Sequence, residues 1–316
     1  MTEILNLPLA SVAIERDYLR RLNPNLFDEL WADPATRVLV LHQGQALFRE
    51  VDGQFAGLDF RSVDQVPTAQ VRAYLGLAAI DESLGLSPIV LAVLSDNAAQ
   101  FLEPEPTRWH QLRRSGTGLS ELEAAIYAQG LALANWHETH QHCARCGSLT
   151  IVEQGGWMRR CMNDQAELFP RTDPAIIVSV IDADDRILLG SQGSWESNRW
   201  SVLAGFVEPG ESLPQAVVRE VFEEAGVNVV EPKFLGSQAW PYPYSLMIGF
   251  TARVAADFDP TGLRPDGVEI EKLRWFSREE IKAEAATLFL PSRISISRAL
   301  IEHWLGEPIE TATELS

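Results

Sequence analysis

The stretch from Gly205 to Val227 constrains the fold more than any other part of the chain, because it combines helix-boundary signals with closely spaced carboxylates. It reads GFVEPGESLPQAVVREVFEEAGV. Ser212 and Gln215 have the spacing of a capping box, in which two side chains satisfy backbone N–H groups at the start of a helix. Gly226 is a typical helix end. These signals predict a helix over roughly 213–225.

The predicted helix has two distinct faces. Its apolar residues recur every four positions and form a face that packs against a core: Leu213, Val217 and Val221. Glu220 and Glu224 share a second face, with Glu223 beside them. Two of these carboxylates lie in the last turn, where the helix dipole already disfavours negative charge, and Arg219 alone does not balance them. The pattern favours a bound Mg²⁺ or Mn²⁺ ion over a solvated acidic helix end.

The spacing of the whole stretch is a second and more specific signal. It runs glycine, five residues, glutamate, seven residues, and then Arg-Glu-aliphatic-any-Glu-Glu-any-Gly-aliphatic. The fixed positions are Gly205, Glu211, Arg219, Glu220, Val221, Glu223, Glu224, Gly226 and Val227. A complete match of this kind is far more specific than a single glycine-rich loop. It resembles the signature sequence of the Nudix hydrolases, which cut pyrophosphate bonds in nucleoside diphosphates linked to another group.

Length, charge and cysteine content narrow the classes of protein that fit. The chain has 316 residues, enough for two domains of ordinary size. Its net charge of −18 argues against extended binding along nucleic-acid backbones. It does not argue against binding of a nucleotide or an RNA end through metal ions. We expect neither a signal peptide nor a membrane span. Three cysteines, two of them in a C-x-x-C pair, fit a reducing cytoplasm better than a disulfide framework.

Patterning along the chain predicts four consecutive regions. They are an N-terminal α+β domain (1–136), a short cysteine-containing module (137–170), an α/β domain (171–305) and a polar, frayed tail (306–316). Strands are predicted at 37–42, 44–50, 88–96, 175–182, 186–191, 200–206, 246–254 and 272–277. Ser120 and Glu123 form a further capping box that opens a helix to about Trp136, and a last helix is predicted at 293–304. The mixture of strands and helices around a metal-binding helix predicts an α/β/α sandwich for the third region.

A second motif, at residues 237–245, bears on the substrate. It reads SQAWPYPYS, and its two prolines are expected to hold the backbone stiff and extended. Three aromatic residues offer flat faces for an adenine or nicotinamide ring: Trp240, Tyr242 and Tyr244. Gln238 and Ser245 offer hydrogen bonds to base or ribose. Alone, the motif also fits an aromatic-proline turn buried for packing, but beside the carboxylate helix it favours ligand binding.

This motif resembles the SQPWPFPxS array that marks the NADH pyrophosphatases within the Nudix superfamily. Three other segments are similar to that family: WHETHQHCARCGS (136–148), FPRTDPAIIV (169–178) and LAGFVEPGES (203–212). The resemblance is strong over residues 120–305, whereas the N-terminal third fits only in arrangement. It implies hydrolysis of the diphosphate bridge of NAD(H) to NMN(H) and AMP, and a homodimer. Since the same diphosphate bond is cut when an NAD cap is removed from RNA, the resemblance also implies cap removal at RNA 5′ ends.

The resemblance assigns a role to each matching position. The matching metal ligands are Glu220, Glu224 and Glu269. Glu223 is the carboxylate best suited to take a proton from water, and Glu211 is expected to fix the loop through Arg219. The matching substrate contacts are Phe169, Gln238, Ala239, Trp240, Pro241, Tyr242, Pro243, Tyr244, Ser245 and Ser297. Two of them depart from the family pattern, because Ala239 replaces a proline and Phe169 replaces a tyrosine.

The cysteine-containing module has the pattern C-x2-C-x14-C-x2-D, formed by Cys143, Cys146, Cys161 and Asp164. Family members carry four cysteines there, a set that holds a structural zinc ion. Because aspartate also ligates zinc, we expect a closed Zn²⁺ site with Asp164 as the fourth ligand. Two alternatives stay open, namely a module without zinc and substitution by His140 or His142.

Three other functions compete with NAD(H) hydrolysis. The first is a Nudix hydrolase for another substrate such as ADP-ribose, and the array at 237–245 counts against it. The second is a non-catalytic nucleotide-binding regulatory module, and the complete set of carboxylates counts against it. The third is a zinc-ribbon nucleic-acid binder, which the net charge of −18 disfavours.

Overall fold

A computed structural model describes residues 4–10, 14–81 and 85–310. They form two compact units. The first unit contains 4–10, 173–239 and 245–310, and the second contains 14–81, 85–172 and 240–244. The predicted domain boundaries at 136, 170 and 305 stay a prediction. Two segments, however, belong to a different unit from the one that their position in the sequence suggests. Residues 4–10 belong to the first unit because Leu7 is buried in its core, and residues 240–244 belong to the second.

The described residues contain the following helices and strands. The helices are α1 (Leu26–Ala32), α2 (Asp96–Leu102), α3 (Leu112–Ser115), α4 (Glu121–Thr139), α5 (Leu213–Ala225), α6 (Arg278–Glu284) and α7 (Ile296–Leu305). The strands are β1 (Arg37–His42), β2 (Gln45–Val51), β3 (Gln54–Leu58), β4 (Val71–Asp81), β5 (Gly85–Val93), β6 (Trp109–Gln111), β7 (Thr150–Glu153), β8 (Met158–Cys161), β9 (Glu167–Leu168), β10 (Asp173–Ile181), β11 (Ile187–Ser191), β12 (Leu203–Phe206), β13 (Val229–Trp240), β14 (Ser245–Val254) and β15 (Lys272–Phe276). In the same ranges, no helix combines the length and apolar character needed to cross a bilayer.

The first unit is the predicted α/β/α sandwich. Its sheet has the order β13-β14-β10-β11-β15, with β12 beside β10, and β10 runs parallel to β14. Side chains alternate along β10, because successive residues of a strand point to opposite faces. Ile176, Val178 and Val180 pack in the core that contains α5, whereas Ile177 and Ile181 pack in the core that contains α7. Helices therefore cover both faces of the sheet, and α5 is fixed against one of them.

The second unit contains a mixed sheet and the cysteine module. Its large sheet has the order β3-β2-β1-β5-β4, with β6 beside β2, and β1 runs parallel to β5. The helix α4 contacts β4 and β1, as expected for an α+β domain. A separate antiparallel sheet of three strands, β7-β8-β9, holds the cysteine module.

Several predicted boundaries are wrong. The strand expected at 88–96 ends at Val93, because Ser95 caps α2 instead. The strand expected at 200–206 begins only at Leu203, and β13 was not predicted at all. The frayed tail is wrong for residues 306–310, since Ile309 is buried and its backbone N–H donates to the Glu302 carboxylate at 3.0 Å. Residues 311–316 lie outside the described residues.

Candidate functional site

The helix α5 begins and ends where the sequence predicts. Ser212 and Gln215 form the capping box, and Gly226 closes the helix with a φ of +69°, which a glycine adopts without strain. Its buried apolar residues are Ala216, Val217, Val221 and Ala225. Because these side chains anchor one face in the core, the carboxylates of the last two turns are held in fixed directions.

Glu224 is the most unusual of these carboxylates because it is buried. It is 5% exposed, and its Oε2 atom has no hydrogen-bond partner among the described residues. Burial raises the pKa of Glu224 to about 8, and repulsion from Glu220, Glu269 and Asp266 acts in the same direction. A backbone hydrogen bond from Ala204 acts against that shift. The structure thus places inside the first unit a carboxylate for which the described residues supply no balancing positive charge.

Glu220 lies directly against the backbone of Gly205. A Cβ atom on Gly205 would stand 2.0–2.3 Å from the carboxyl atoms of Glu220, so any larger residue there would force this carboxylate to move. Burial raises the pKa of Glu220, and its contact with Arg219 opposes that shift. The Oε1 atom of Glu220 lies 2.9 Å from Nη1 of Arg219. The first glycine of the motif therefore lets the Glu220 carboxylate lie against the backbone.

Arg219 ties the glycine loop to the helix. Its Nε and Nη2 atoms donate to the two carboxylate oxygens of Glu211 at 2.8 and 2.9 Å. Nη1 donates to Glu223 at 2.9 Å, and Nη2 also donates to the carbonyl oxygen of Phe206 at 2.9 Å. These bonds, with Glu211 first, raise the pKa of Arg219. Glu211 thus makes the contact that the sequence suggested, and its importance for activity stays a prediction.

The loop that carries Glu269 is held by a residue that the sequence analysis missed. The Oδ1 atom of Asp266 accepts hydrogen bonds from the backbone N–H groups of Val268 and Glu269 at 3.2 Å and of Ile270 at 2.8 Å. Burial alone would raise the pKa of Asp266, but these backbone bonds outweigh it and lower the pKa. The Asp-Gly pair at 266–267 is a typical turn signal and was available in the sequence.

The residues present have the kind of donor that a hard divalent cation takes, although among the described residues their oxygens do not converge as tightly as the ligands of the cysteine module. Glu220 and Glu269 both raise the pKa of Glu224 by repulsion, which means that their charges act on the same small region. All donors there are carboxylate oxygens, the ligands that Mg²⁺ and Mn²⁺ prefer. The unpartnered oxygen of Glu224 gives an independent reason for a cation, since a buried charge needs a counter-charge. The metal ligands that we propose are therefore Glu220, Glu224 and Glu269.

The array at 237–245 is not extended throughout, contrary to the prediction. Its first residues end β13, but Pro241–Tyr244 form a turn before β14, and the Tyr242–Pro243 peptide bond is cis. Within the second unit, the Asn135 side chain donates to the carbonyl oxygens of Pro241 and Pro243, both at 3.0 Å. The two prolines therefore shape a turn that α4 holds in place.

The aromatic residues of the array lie close together in the second unit. The rings of Trp240 and Tyr242 meet edge to face at 5.1 Å, and the guanidinium of Arg171 lies 5.4 Å from the ring of Tyr244. Phe169, in the same unit, is 57% exposed. These rings keep accessible surface, so their proposed role in binding a base stays a prediction.

Two predicted substrate contacts are engaged inside the first unit instead. Gln238 is fully buried: its Nε2 donates to the carbonyl oxygens of Pro8 and Ile294, and its Oε1 accepts from Ile296 N–H at 2.9 Å. Ser297 is also buried, and its hydroxyl lies 2.8 Å from that of Ser201. Both N–H groups and the oxygen of the Gln238 amide are thus used, so we assign Gln238 to positioning β13 rather than to substrate.

The cysteine module brings its four predicted ligands together. The ligand atoms of Cys143, Cys146, Cys161 and Asp164 all lie within 4.8 Å of one another. The Cys146 and Cys161 sulfurs are 3.4 Å apart, and Cys143 Sγ lies 3.9 Å from both Asp164 oxygens. This compact set of three sulfurs and a carboxylate fits a four-coordinate zinc ion. Neither His140 nor His142 belongs to this cluster of described residues.

Comparison with known proteins agrees with this arrangement. The model of the NUDIX domain matches residues 170–296, that of the NADH pyrophosphatase zinc ribbon domain matches 138–169, and that of the NADH pyrophosphatase-like rudimentary NUDIX domain matches 35–136. A solved NUDIX hydrolase from Nitrosomonas europaea is 24% identical, with a TM-score of 0.39, covering 54% of this chain and 97% of that one. The match to the NUDIX domain model, over the region that contains the carboxylate helix, defines a protein of the Nudix superfamily.

Curated relatives narrow this class. The NAD-capped RNA hydrolase NUDT12 of Homo sapiens is 35% identical over 239 residues, which cover 71% of this chain and 49% of that protein. The NAD-capped RNA hydrolase NudC of Mycobacterium bovis (strain BCG / Pasteur 1173P2) is 39% identical over 209 residues, covering 63% of this chain and 66% of that protein. The chain therefore spans about half the length of the human relative. With all three domain models in order along the sequence, it belongs to the NADH pyrophosphatase family.

Proposed function

We propose that this protein hydrolyses the diphosphate bond of NAD(H), releasing NMN(H) and AMP, with Mg²⁺ or Mn²⁺ as cofactor. The observation that carries the proposal is the buried carboxylate of Glu224, whose unpartnered oxygen stands among further carboxylates. The aromatic array at 237–245 and membership of the NADH pyrophosphatase family support the choice of substrate.

The cation would be held by Glu220, Glu224 and Glu269, where it would neutralise charge on the diphosphate and polarise the attacking water. Glu223 takes the proton of that water, for its side chain is 55% exposed and Arg219 holds it in one direction. The water oxygen bonds to one phosphorus, the bridging P–O bond breaks, and the bridging oxygen leaves with the other nucleotide. Arg219 and Glu211 keep the glycine loop against the helix.

The rings of the array recognise the dinucleotide in this proposal. Trp240, Tyr242 and Tyr244 supply faces on which a nicotinamide or adenine ring stacks, and Phe169 supplies a fourth. Since Phe169 has no hydroxyl, its contribution is stacking and not hydrogen bonding. Ser245 and Ser297, the two serines predicted to contact substrate, are buried within the first unit.

NAD-capped RNA is a second substrate that we infer. Both curated relatives are named as NAD-capped RNA hydrolases, and the bond to be cut is the same as in NAD(H). The net charge of −18 argues for recognition of the 5′ end alone, because a long RNA footprint needs clustered Lys and Arg.

We further infer that Cys143, Cys146, Cys161 and Asp164 hold a structural zinc ion. Metal analysis of the purified chain tests this ligand set: one zinc per native chain, lost in Asp164→Ala, is the expected result. Full zinc content in Asp164→Ala would exclude aspartate as the fourth ligand. A homodimer and a cytoplasmic location are also part of the proposal, from family resemblance and cysteine content respectively.

Turnover of NADH with Mg²⁺ or Mn²⁺ tests the proposed function, with products resolved by chromatography and an EDTA control. NMNH and AMP in equal amounts, both lost in EDTA, are expected. Cleavage of ADP-ribose without cleavage of NADH would keep the catalytic centre and overturn the substrate. Cleavage of neither would favour a regulatory nucleotide-binding module.

A further inference from the structure

The second unit contains a cavity of about 630 Å³ that the proposed function does not use. Its walls come from the ends of β1 and β5, the last turns of α4 and the strands β7 and β8. A volume of this size lies within the range of small-molecule sites, roughly 300–1,000 Å³, and exceeds what a bare inorganic anion fills.

Arg159 lines this cavity and is only 6% exposed. Its guanidinium makes three hydrogen bonds: Nε to Thr150 Oγ1 at 2.7 Å, Nη2 to the Thr150 carbonyl oxygen at 3.1 Å, and Nη1 to His137 Nδ1 at 2.9 Å. A guanidinium has five N–H groups, so two of them, one on each Nη atom, lack a partner among the described residues.

All three partners of Arg159 are neutral. The Nδ1 atom of His137 accepts from Arg159, which leaves its Nε2–H to donate to the Gly156 carbonyl oxygen at 2.9 Å. This pair of contacts fixes His137 as an uncharged imidazole, and burial lowers its pKa to about 4. Burial also lowers the pKa of Arg159. A buried charge with only neutral partners is costly, and an anion in the cavity would remove that cost.

The carboxylates of the cavity do not balance Arg159. Asp96 and Glu138 both line it, yet both are exposed, and Asp96 is engaged by His42 at 2.8 Å. Across the described ranges, no carboxylate oxygen forms an ion pair with Arg159. Arg159 therefore places a positive charge deep in the cavity, whereas Asp96 and Glu138 place negative charges at its rim.

We propose that this cavity binds a mononucleotide, with its phosphate on the two unpartnered N–H groups of Arg159. A planar guanidinium that offers one N–H on each Nη atom matches two oxygens of a phosphate. Apolar walls such as Leu94 and Val152 suit a base, and the amides of Gln70 and Gln141 at the exposed rim suit hydrogen bonds to base or ribose. The site lies wholly within the second unit and does not depend on the proposed catalytic centre.

Calorimetric titration of the full chain with AMP tests the proposal, in a buffer without Mg²⁺ or Mn²⁺ so that no added cation recruits the nucleotide elsewhere. A chelator is left out, because the cavity is lined by strands of the module for which we propose zinc. Arg159→Lys keeps the charge but loses the planar guanidinium, and Ala134→Leu narrows the cavity from α4 while leaving Arg159 unsubstituted. We expect each variant to weaken AMP binding at least about tenfold. Arg160→Lys makes the same change at a neighbouring arginine that pairs with Glu153 and Glu167 and does not line the cavity, so it is the matched control and should leave this binding unchanged.

Several results would overturn the proposal. They are the absence of AMP binding by the native chain up to about 1 mM, equal binding by the native chain and Ala134→Leu, and binding of adenosine as tight as that of AMP. Inorganic phosphate binding as tightly as AMP would also overturn it, because the rest of the cavity would then be unused. Circular dichroism and NADH turnover verify that the variants are folded; if Arg159→Lys unfolds, Ala134→Leu decides the outcome alone.

Discussion

The helices α4 and α5 begin in the same way and then diverge in what they bury. Each opens with a serine capping box, Ser120 with Glu123 in α4 and Ser212 with Gln215 in α5. In α4, ten of 19 residues are buried and none of them is acidic. In α5, five of 13 residues are buried, and one of these is Glu224. The comparison teaches that helix signals do not distinguish a scaffold from a candidate catalytic helix, whereas the position of the carboxylates does.

Close packing against β1 explains why α4 has no room for a cluster of carboxylates like that of α5. Gly130 lies so close to β1 that a Cβ atom there would stand 2.7 Å from a methyl carbon of Leu39. The acidic residues of α4 lie only near its two ends, where water or capping contacts accommodate them. The carboxylates of α5 occur instead within its last two turns, beside the backbone of Gly205.

The largest expected effect comes from Glu224→Gln. We expect kcat for NADH to fall by about 10³-fold or more, because the variant removes a charge that the proposed cation site needs. The fold should survive in EDTA, since a buried, unbalanced carboxylate is replaced by a neutral amide of the same shape. Steady-state kinetics and a thermal melt measure both effects. Normal turnover of NADH by this variant would mean that Glu224 is not needed for catalysis, and α5 would then be a scaffold like α4.

The second-largest expected effect is a loss of stability at low pH that comes from His137 in α4. Burial lowers the pKa of His137 to about 4 from an ordinary value of 6.5. The folded state therefore favours the neutral ring, so the contribution of His137 is fully present above pH 6.5 and is lost as the pH falls towards 4. The free energy of unfolding should fall by about 3 kcal/mol over that window through this residue.

Urea unfolding at several pH values measures this dependence. His137→Gln should flatten the slope between pH 6.5 and 4. His303→Gln, an exposed histidine at the end of α7, is the matched control and should leave the slope unchanged. Equal slopes in the native chain and His137→Gln would mean that His137 is not held neutral.

Trp240→Ala separates recognition from the chemistry assigned to α5. We expect KM for NADH to rise about tenfold, since loss of base stacking costs about 1–3 kcal/mol, while kcat changes less. Initial rates over a range of NADH concentrations give both constants. An unchanged KM would show that the array does not bind the ring.

The smallest effect is expected from Glu123→Ala in α4. The Glu123 carboxylate accepts from Ser120 N–H at 3.1 Å and from Leu58 N–H at 2.9 Å. Its removal should lower the free energy of unfolding by about 1–2 kcal/mol without changing kcat. Chemical denaturation beside a turnover assay tests this. A large loss of kcat in a folded Glu123→Ala chain would contradict the assignment of α4 as scaffold.

The sequence predicted local features well where one segment determined them. Both capping boxes, the bounds of α5 and the cluster of Cys143 with Asp164 followed from spacing. Contacts between distant segments were not predictable in this way. Gln238 bonds to Pro8 and Ile294, which are far away in sequence, and no local signal announces that burial.

The sequence analysis also missed the burial of Ile309 and the role of Asp266. Ile309 follows a glycine in a polar stretch, yet Arg298 donates to its carbonyl oxygen and holds it in the core. Asp266 orders the Glu269 loop through backbone N–H groups; the Asp-Gly pair at 266–267 signalled a turn there, but not that the turn would position Glu269. The contact of Ile309 depends on which backbone group meets Arg298, and no local pattern specifies that.

The central claim is that α5 forms a divalent-cation site, and Mn²⁺ binding measured by electron paramagnetic resonance tests it without any substrate. The native chain and Glu123→Gln, whose change lies in α4, should bind Mn²⁺ with the same affinity. Glu224→Gln should lose that binding while remaining folded. Equal Mn²⁺ binding by the native chain and Glu224→Gln would contradict the account.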